Sequence, residues 1–119
     1  MIIGTGVDIV DINRVNERIA KRILGTTEVR EFERKKHKRQ YIAGRFAAKE
    51  AFFKAIGTGW RNGMAFDEVE ITNDDLGQPG LVVHGRAGKA IEENKITNIQ
   101  VSLSHTKDFA SAIVTLEKT

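Results

Sequence analysis

No cysteine occurs in the chain, which excludes disulfides, thiolate metal sites and cysteine nucleophiles and fits a reducing compartment. No long apolar run is present, and the opening MIIGTGVDIV has neither a basic segment ahead of its apolar residues nor a small-residue cleavage site. A signal peptide and a membrane span are therefore not expected, and a cytoplasmic location is. Nucleotide fingerprints are also missing: Gly4-Thr5-Gly6 is too short for a dinucleotide motif, and no G-x-x-x-x-G-K-S/T stretch occurs. Ser102, Ser104 and His105 lack the G-x-S-x-G elbow of a hydrolase. His37, His84 and His105 share no zinc-like spacing. Aromatic residues make up only 7%, few for stacking nucleic-acid bases.

What is present is 119 residues with 40% hydrophobic and 29% charged content, ordinary for one soluble globular domain, and no repeat or linker divides residues 1–119. A chain this short buries only about two-thirds of its unfolded surface, so a substrate cleft is more easily shared between subunits than cut from one. The formal net charge is +3, and most basic residues lie between Arg14 and Arg39, with Arg34, Lys35, Lys36, Lys38 and Arg39 nearly in one block. This favours an acidic partner, whether a phosphorylated ligand, an acidic protein or nucleic acid. A small basic nucleic-acid-binding module is the alternative the charge leaves open.

Helices are expected early and mostly antiparallel strands late, an α+β class. The patterning predicts a strand over Ile2–Ile9, a helix over Ile12–Leu24 stopped by Gly25, and a shorter helix capped by Thr26 or Thr27 and running through Phe32 and Arg34. The longest helix should span about Lys38–Ile56 and stop at Gly57-Thr58-Gly59. After it, Phe66, Val69 and Ile71 suggest a strand, Asn73–Gly80 a polar turn, Leu81–Val83 a strand and Arg86–Asn94 a helix. A hairpin of Asn98–Ser104 and Ala110–Leu116 should close the chain around His105-Thr106-Lys107-Asp108.

The run GRFAAKEAFFKAIGTG, Gly44–Gly59, sets Arg45, Lys49, Glu50 and Lys54 into an otherwise apolar helix. Buried charges cost several kcal/mol each unless paired or used, so the stretch reads as a site. Arg45 and Lys49 fall on one stripe and Glu50 and Lys54 on the next. An exposed Glu50–Lys54 ion pair, with Arg45 and Lys49 merely solvated, is the plainer alternative. Asp8 ends an apolar strand, where an unpaired carboxylate is costly, and Asp8 with Glu50 is the minimum acid pair for a hard cation that keeps most of its water. Arg14, Arg18, Lys21 and Arg22, spaced i, i+4, i+7 and i+8, would form one cationic stripe beside Val15, Ile19 and Ile23, suited to an acidic helix or to solvent. His105, between Ser104 and Thr106, reads either as a phosphate or ribose contact or as a turn hydrogen bond.

Taken in order, GTGVDIVDINR, GRFAAKEAFFKAIGTG and VSLSHTKDFASAIV resemble the holo-acyl-carrier-protein synthase family, the small bacterial 4′-phosphopantetheinyl transferases, over nearly the whole chain. The resemblance implies that fold, and Mg²⁺-dependent transfer of 4′-phosphopantetheine from coenzyme A to a serine of apo acyl carrier protein, releasing adenosine 3′,5′-bisphosphate, in fatty acid biosynthesis. It implies that Asp8 and Glu50 hold Mg²⁺, that Glu50 and Lys54 are catalytic, and that Arg45, Lys49, Lys54, Ser104, His105 and Thr106 line the nucleotide and its phosphates. Either Glu50 or a metal-bound water would deprotonate the serine. Arg14, Arg18, Lys21 and Arg22 would meet the acidic helix of the carrier. A homotrimer with sites between subunits, and neither nucleic acid nor membrane as partner, completes the expectation.

Overall fold

Helix α3 runs Lys38–Ile56, with the expected bounds, and stops where Gly57 takes a left-handed φ of 87° and its N–H caps the Phe53 carbonyl. The computed structural model describes residues 1–57 and 63–119, so Thr58 and Gly59 of the expected stop lie outside the described residues. Ten residues of α3 are buried, including Ala47, Ala48, Ala51, Phe52 and Phe53, so it is enclosed on most of its circumference rather than along one stripe.

Strand β1 (Ile2–Asp11) is packed on α3, and the reason is local chemistry on both sides. A Cβ at Gly4 would overlap the Ala55 carbonyl, and one at Gly6 the Ala51 carbonyl, so glycines facing alanines let the two backbones meet. The closing hairpin is present as β4 (Asn98–His105) and β5 (Phe109–Glu117), and with β1 it makes an antiparallel sheet in the order β1-β5-β4. Ala110, Ala112, Val114 and Leu116 of β5 alternate inward onto α3, while Phe109 and Ile113 face outward. Between α3 and this hairpin, β2 (Val69–Asn73) and β3 (Pro79–Val83) form a second antiparallel pair across the expected polar turn, followed by the helix Gly85–Glu93, α4 once the two short helices below are counted. The class is α+β, as expected.

Three expectations are corrected. Ile12–Leu24 is not one helix: 3₁₀ turns at Ile12–Arg14 and Glu17–Ile19 precede a single α-turn, α1 (Ala20–Ile23), with Val15 extended between the first two. The Asp11 side chain accepts from Asn13 N and the Asn16 side chain from Arg18 N, so each restarts the chain locally instead of letting one helix propagate. The second helix, α2 (Thr26–Arg34), is capped not by a threonine but at Gly25, whose N–H donates to the Glu28 carboxylate 3.0 Å away. Phe66 belongs to a 3₁₀ turn, Phe66–Glu68, ahead of β2.

Candidate active site

Close approach of β1 to α3 carries Asp8 beside the charged side of the helix. Lys54 Nζ lies 3.1 Å from Asp8 Oδ1 and donates to the Val7 carbonyl at 3.0 Å, so Lys54 reaches across to β1 and not to Glu50 as an exposed helical pair would require. Glu50 is half-buried, and its burial together with the Asp8 carboxylate holds its pKa above the ordinary glutamate value, with Lys54 pulling the other way. Two acids that repel each other with one ammonium between them form an incomplete charge set. They are the coupled carboxylates here: among the described residues no group of three or more acidic, histidine or cysteine side chains is placed to hold a metal ion. A Mg²⁺-like ion, which needs few protein carboxylates, matches such a pair.

These acids line a cleft of about 800 Å³ at the β1 edge of the sheet, walled by Val15, Ile19, Phe46 and Phe109 and with Arg14 among its lining residues. Arg14 is almost fully exposed and only loosely paired with Asp11, at 3.7 Å. The expected stripe of Arg14, Arg18, Lys21 and Arg22 does not exist as a helix face, because the extended Val15 separates Arg14 from the rest. Arg18, Lys21 and Arg22 are nevertheless all exposed on the following turns.

A second cleft, of about 550 Å³, lies at the β4 edge and, among the described residues, shares no lining residue with the first. It brings together Arg45, Ser104 and His105, as expected, and adds Lys35, Lys36, His37, Gln40, Tyr41 and Asn73, which the sequence reading did not assign to a site. Arg45 is stacked with its guanidinium carbon 4.4 Å from the Tyr41 ring centre, while Nη2 donates to Glu31 Oε1 at 3.2 Å and to Asn73 Oδ1 at 2.9 Å. Among the described residues its buried Nε has no hydrogen-bond partner. Gln40 Nε2 sits 3.0 Å from His105 Nε2. Thr106 is not among the lining residues: its hydroxyl oxygen accepts from Asp108 N and Phe109 N and so holds the β4–β5 turn.

Lys49 requires a correction. Its side chain is fully buried, 2.7 Å from Glu28 Oε1, and its ammonium also donates to the Phe66 and Val69 carbonyls, so it reaches no ligand in either cleft. Burial presses its pKa below the ordinary lysine value while Glu28 opposes that shift. Lys38, from the basic block, is likewise occupied, donating to the Phe32, Glu33 and Lys35 carbonyls at the C-terminal end of α2.

The family model of the 4′-phosphopantetheinyl transferase superfamily matches residues 4–114, spanning both clefts. The holo-[acyl-carrier-protein] synthase of Geotalea daltonii is 45% identical over 125 residues, covering 99% of this chain and all of that one. The chain belongs to the holo-acyl-carrier-protein synthases. As a member of this family of enzymes it shares their fold: the crystal structure of the Neisseria meningitidis synthase superposes with a TM-score of 0.91 at 38% identity, covering 99% of this chain and 100% of that chain. A Bacillus anthracis synthase solved in complex with CoA (3′,5′-ADP) superposes with a TM-score of 0.85 at 36% identity, covering 100% of this chain and 99% of that chain.

Proposed function

We propose that this synthase, residues 1–119 acting as one domain, transfers 4′-phosphopantetheine from coenzyme A to a serine of apo acyl carrier protein in the cytoplasm, with Mg²⁺, serving fatty acid biosynthesis. The observation that carries the reading is the Asp8, Glu50 and Lys54 group, two repelling acids and one lysine held together at the β1 edge. Coenzyme A binding by the B. anthracis relative supports the choice of donor.

In this account the serine oxygen attacks the pyrophosphate phosphorus that carries pantetheine. A new P–O bond forms to serine, the bridging P–O bond breaks, and adenosine 3′,5′-bisphosphate leaves with the bonding electrons. Glu50, which lines the cleft, or a water held beside it would take the serine proton. Lys54 stabilises negative charge growing on the phosphoryl oxygens, and catalysis is otherwise a matter of positioning. Mg²⁺ held by Asp8 and Glu50 would supply further positive charge to the pyrophosphate. Arg45, Ser104 and His105 would contact the nucleotide end, and Arg14, Arg18, Lys21 and Arg22 the acidic carrier.

The two clefts sit at opposite edges of the sheet, with β5 between them. One extended coenzyme A is more easily served if the Asp8 cleft of one chain meets the Arg45 cleft of its neighbour, as in a homotrimer. The outward sheet face supports such an assembly: Val7 and Ile113 are directly paired there, and with Ile9 and Phe109 they leave an exposed apolar band. Incubation with apo acyl carrier protein, coenzyme A and Mg²⁺ should add the mass of one phosphopantetheine to the carrier. An unmodified carrier would refute the reading.

A further inference from the structure

We propose that Lys49 is a positioning residue, which through its buried pair with Glu28 sets the two elements that hold the Arg45 guanidinium in its cleft. This inference rests on the reading of that cleft as the nucleotide side of the site.

Burying an ion pair away from water is costly. Lys49 and Glu28 are both fully buried, and an ion pair in that setting is commonly no more stabilising than apolar side chains of the same volume. Its value therefore lies in what it orients. Glu28 Oε1 accepts from Gly25 N at the start of α2 and from Lys49, while Oε2 accepts from Ile71 N in β2 at 2.9 Å. Lys49 in turn donates to Phe66 and Val69 carbonyls, fixing the entry to β2. One buried pair thus ties α2 and β2 to α3, with all three ammonium protons used.

Both polar partners of Arg45 come from the elements so tied. Glu31 lies one turn after Glu28 on α2, and Asn73 lies two residues after Ile71 on β2. Tyr41, the ring under Arg45, is linked to the same group, with its Oη 2.7 Å from Glu31 Oε1 and 3.2 Å from the Glu28 carbonyl oxygen. Small shifts of α2 or β2 would move Glu31 or Asn73 away from Nη2 and let the guanidinium rotate on Tyr41. Lys49 touches none of the cleft itself.

A double-mutant cycle on the full chain tests this, with coenzyme A affinity measured by calorimetry and folding checked by circular dichroism. Lys49→Met should weaken binding roughly ten- to hundredfold, as misplaced positioning groups do, and raise the KM for coenzyme A with a much smaller change in kcat. Arg45→Ala should weaken binding as well, and the double variant should bind no worse than Arg45→Ala alone. Where Lys49→Met fails to fold, Glu28→Gln with Lys49→Met removes both charges together and enters the same cycle. Unchanged affinity, or losses that multiply in the double variant, would overturn the proposal. The Arg45 Nε–H resonance gives a readout without ligand: it should be sharp and slowly exchanging in the wild type and broadened by the Lys49 change. Failure of the wild type to bind coenzyme A would defeat the reading of the cleft, whereas an Arg45 resonance indifferent to Lys49 would defeat the positioning claim.

Discussion

Gly6 of β1 lies against the carbonyl oxygen of Ala51 in α3, so closely that a Cβ on residue 6 would overlap it. This contact sets how near Asp8, two residues on, comes to Glu50 and Lys54. Gly6→Ala should therefore cost about 2 kcal/mol or more in chemical denaturation, the scale of a forced overpacking, and abolish transfer. Thr5→Ala, on the exposed side of the strand, should stay within about 0.5 kcal/mol of wild type. Equal effects of the two changes would remove the close approach from the account.

Glu50 should titrate above the ordinary glutamate range in the metal-free protein, because burial and the Asp8 charge both favour its neutral form. Asp8→Asn removes the second cause and should lower the midpoint, read from the carboxyl carbon by NMR. The folded state binds this proton more tightly than the unfolded chain, so Glu50's contribution to stability falls as pH rises from the ordinary glutamate pKa through the raised folded one. A midpoint unmoved by Asp8→Asn would show that the two acids do not interact.

Much of this site could be read from the chain before the fold was known, and the failures have physical causes. Lys38–Ile56 was legible because a stretch rich in alanine and phenylalanine ends at a glycine suited to positive φ, and Asp8, Glu50 and Lys54 because charge in apolar surroundings demands a partner. Lys49 was assigned to the nucleotide on the family resemblance, and the helical spacing that set it on the stripe of Arg45 did not reveal its partner 21 residues upstream. A usable signal existed: alanines and phenylalanines surround it on nearly every side, so a lysine at that position had to be buried. Arg14 to Arg22 failed as a stripe because Asp11 and Asn16, good local hydrogen-bonding residues, break the helix that the apolar spacing suggested. Gln40 and Asn73 were silent, since each is a single polar residue whose meaning comes only from tertiary neighbours.

Val7→Lys with Ile113→Lys places two positive charges opposite each other on the outward sheet face. Like charges at such a pair oppose any apolar docking there, so light scattering should show the assembly falling to monomer, with transfer lost and circular dichroism retained. A fully active monomer would contradict the shared site.

Arg18→Glu with Arg22→Glu should raise the KM for acyl carrier protein while leaving that for coenzyme A unchanged, because both residues are exposed and neither lines the Arg45 cleft. The rate of encounter should also lose most of its dependence on salt, as expected for a charge-steered approach. An effect on coenzyme A instead would assign these arginines to the other substrate.

Mixing two inactive variants tests most directly whether the Asp8 and Arg45 clefts are two halves of one site. Asp8→Ala and Arg45→Ala chains, assayed at coenzyme A too dilute to load the weakened Arg45→Ala site so that each is inactive alone, are unfolded together, refolded and assayed by the mass of the carrier protein. If neighbouring chains complete each site, random assembly leaves about one site in four with both wild-type halves, and roughly a quarter of wild-type activity should return. A mixture as inactive as either variant alone, beside an active wild-type control carried through the same refolding, would contradict the account.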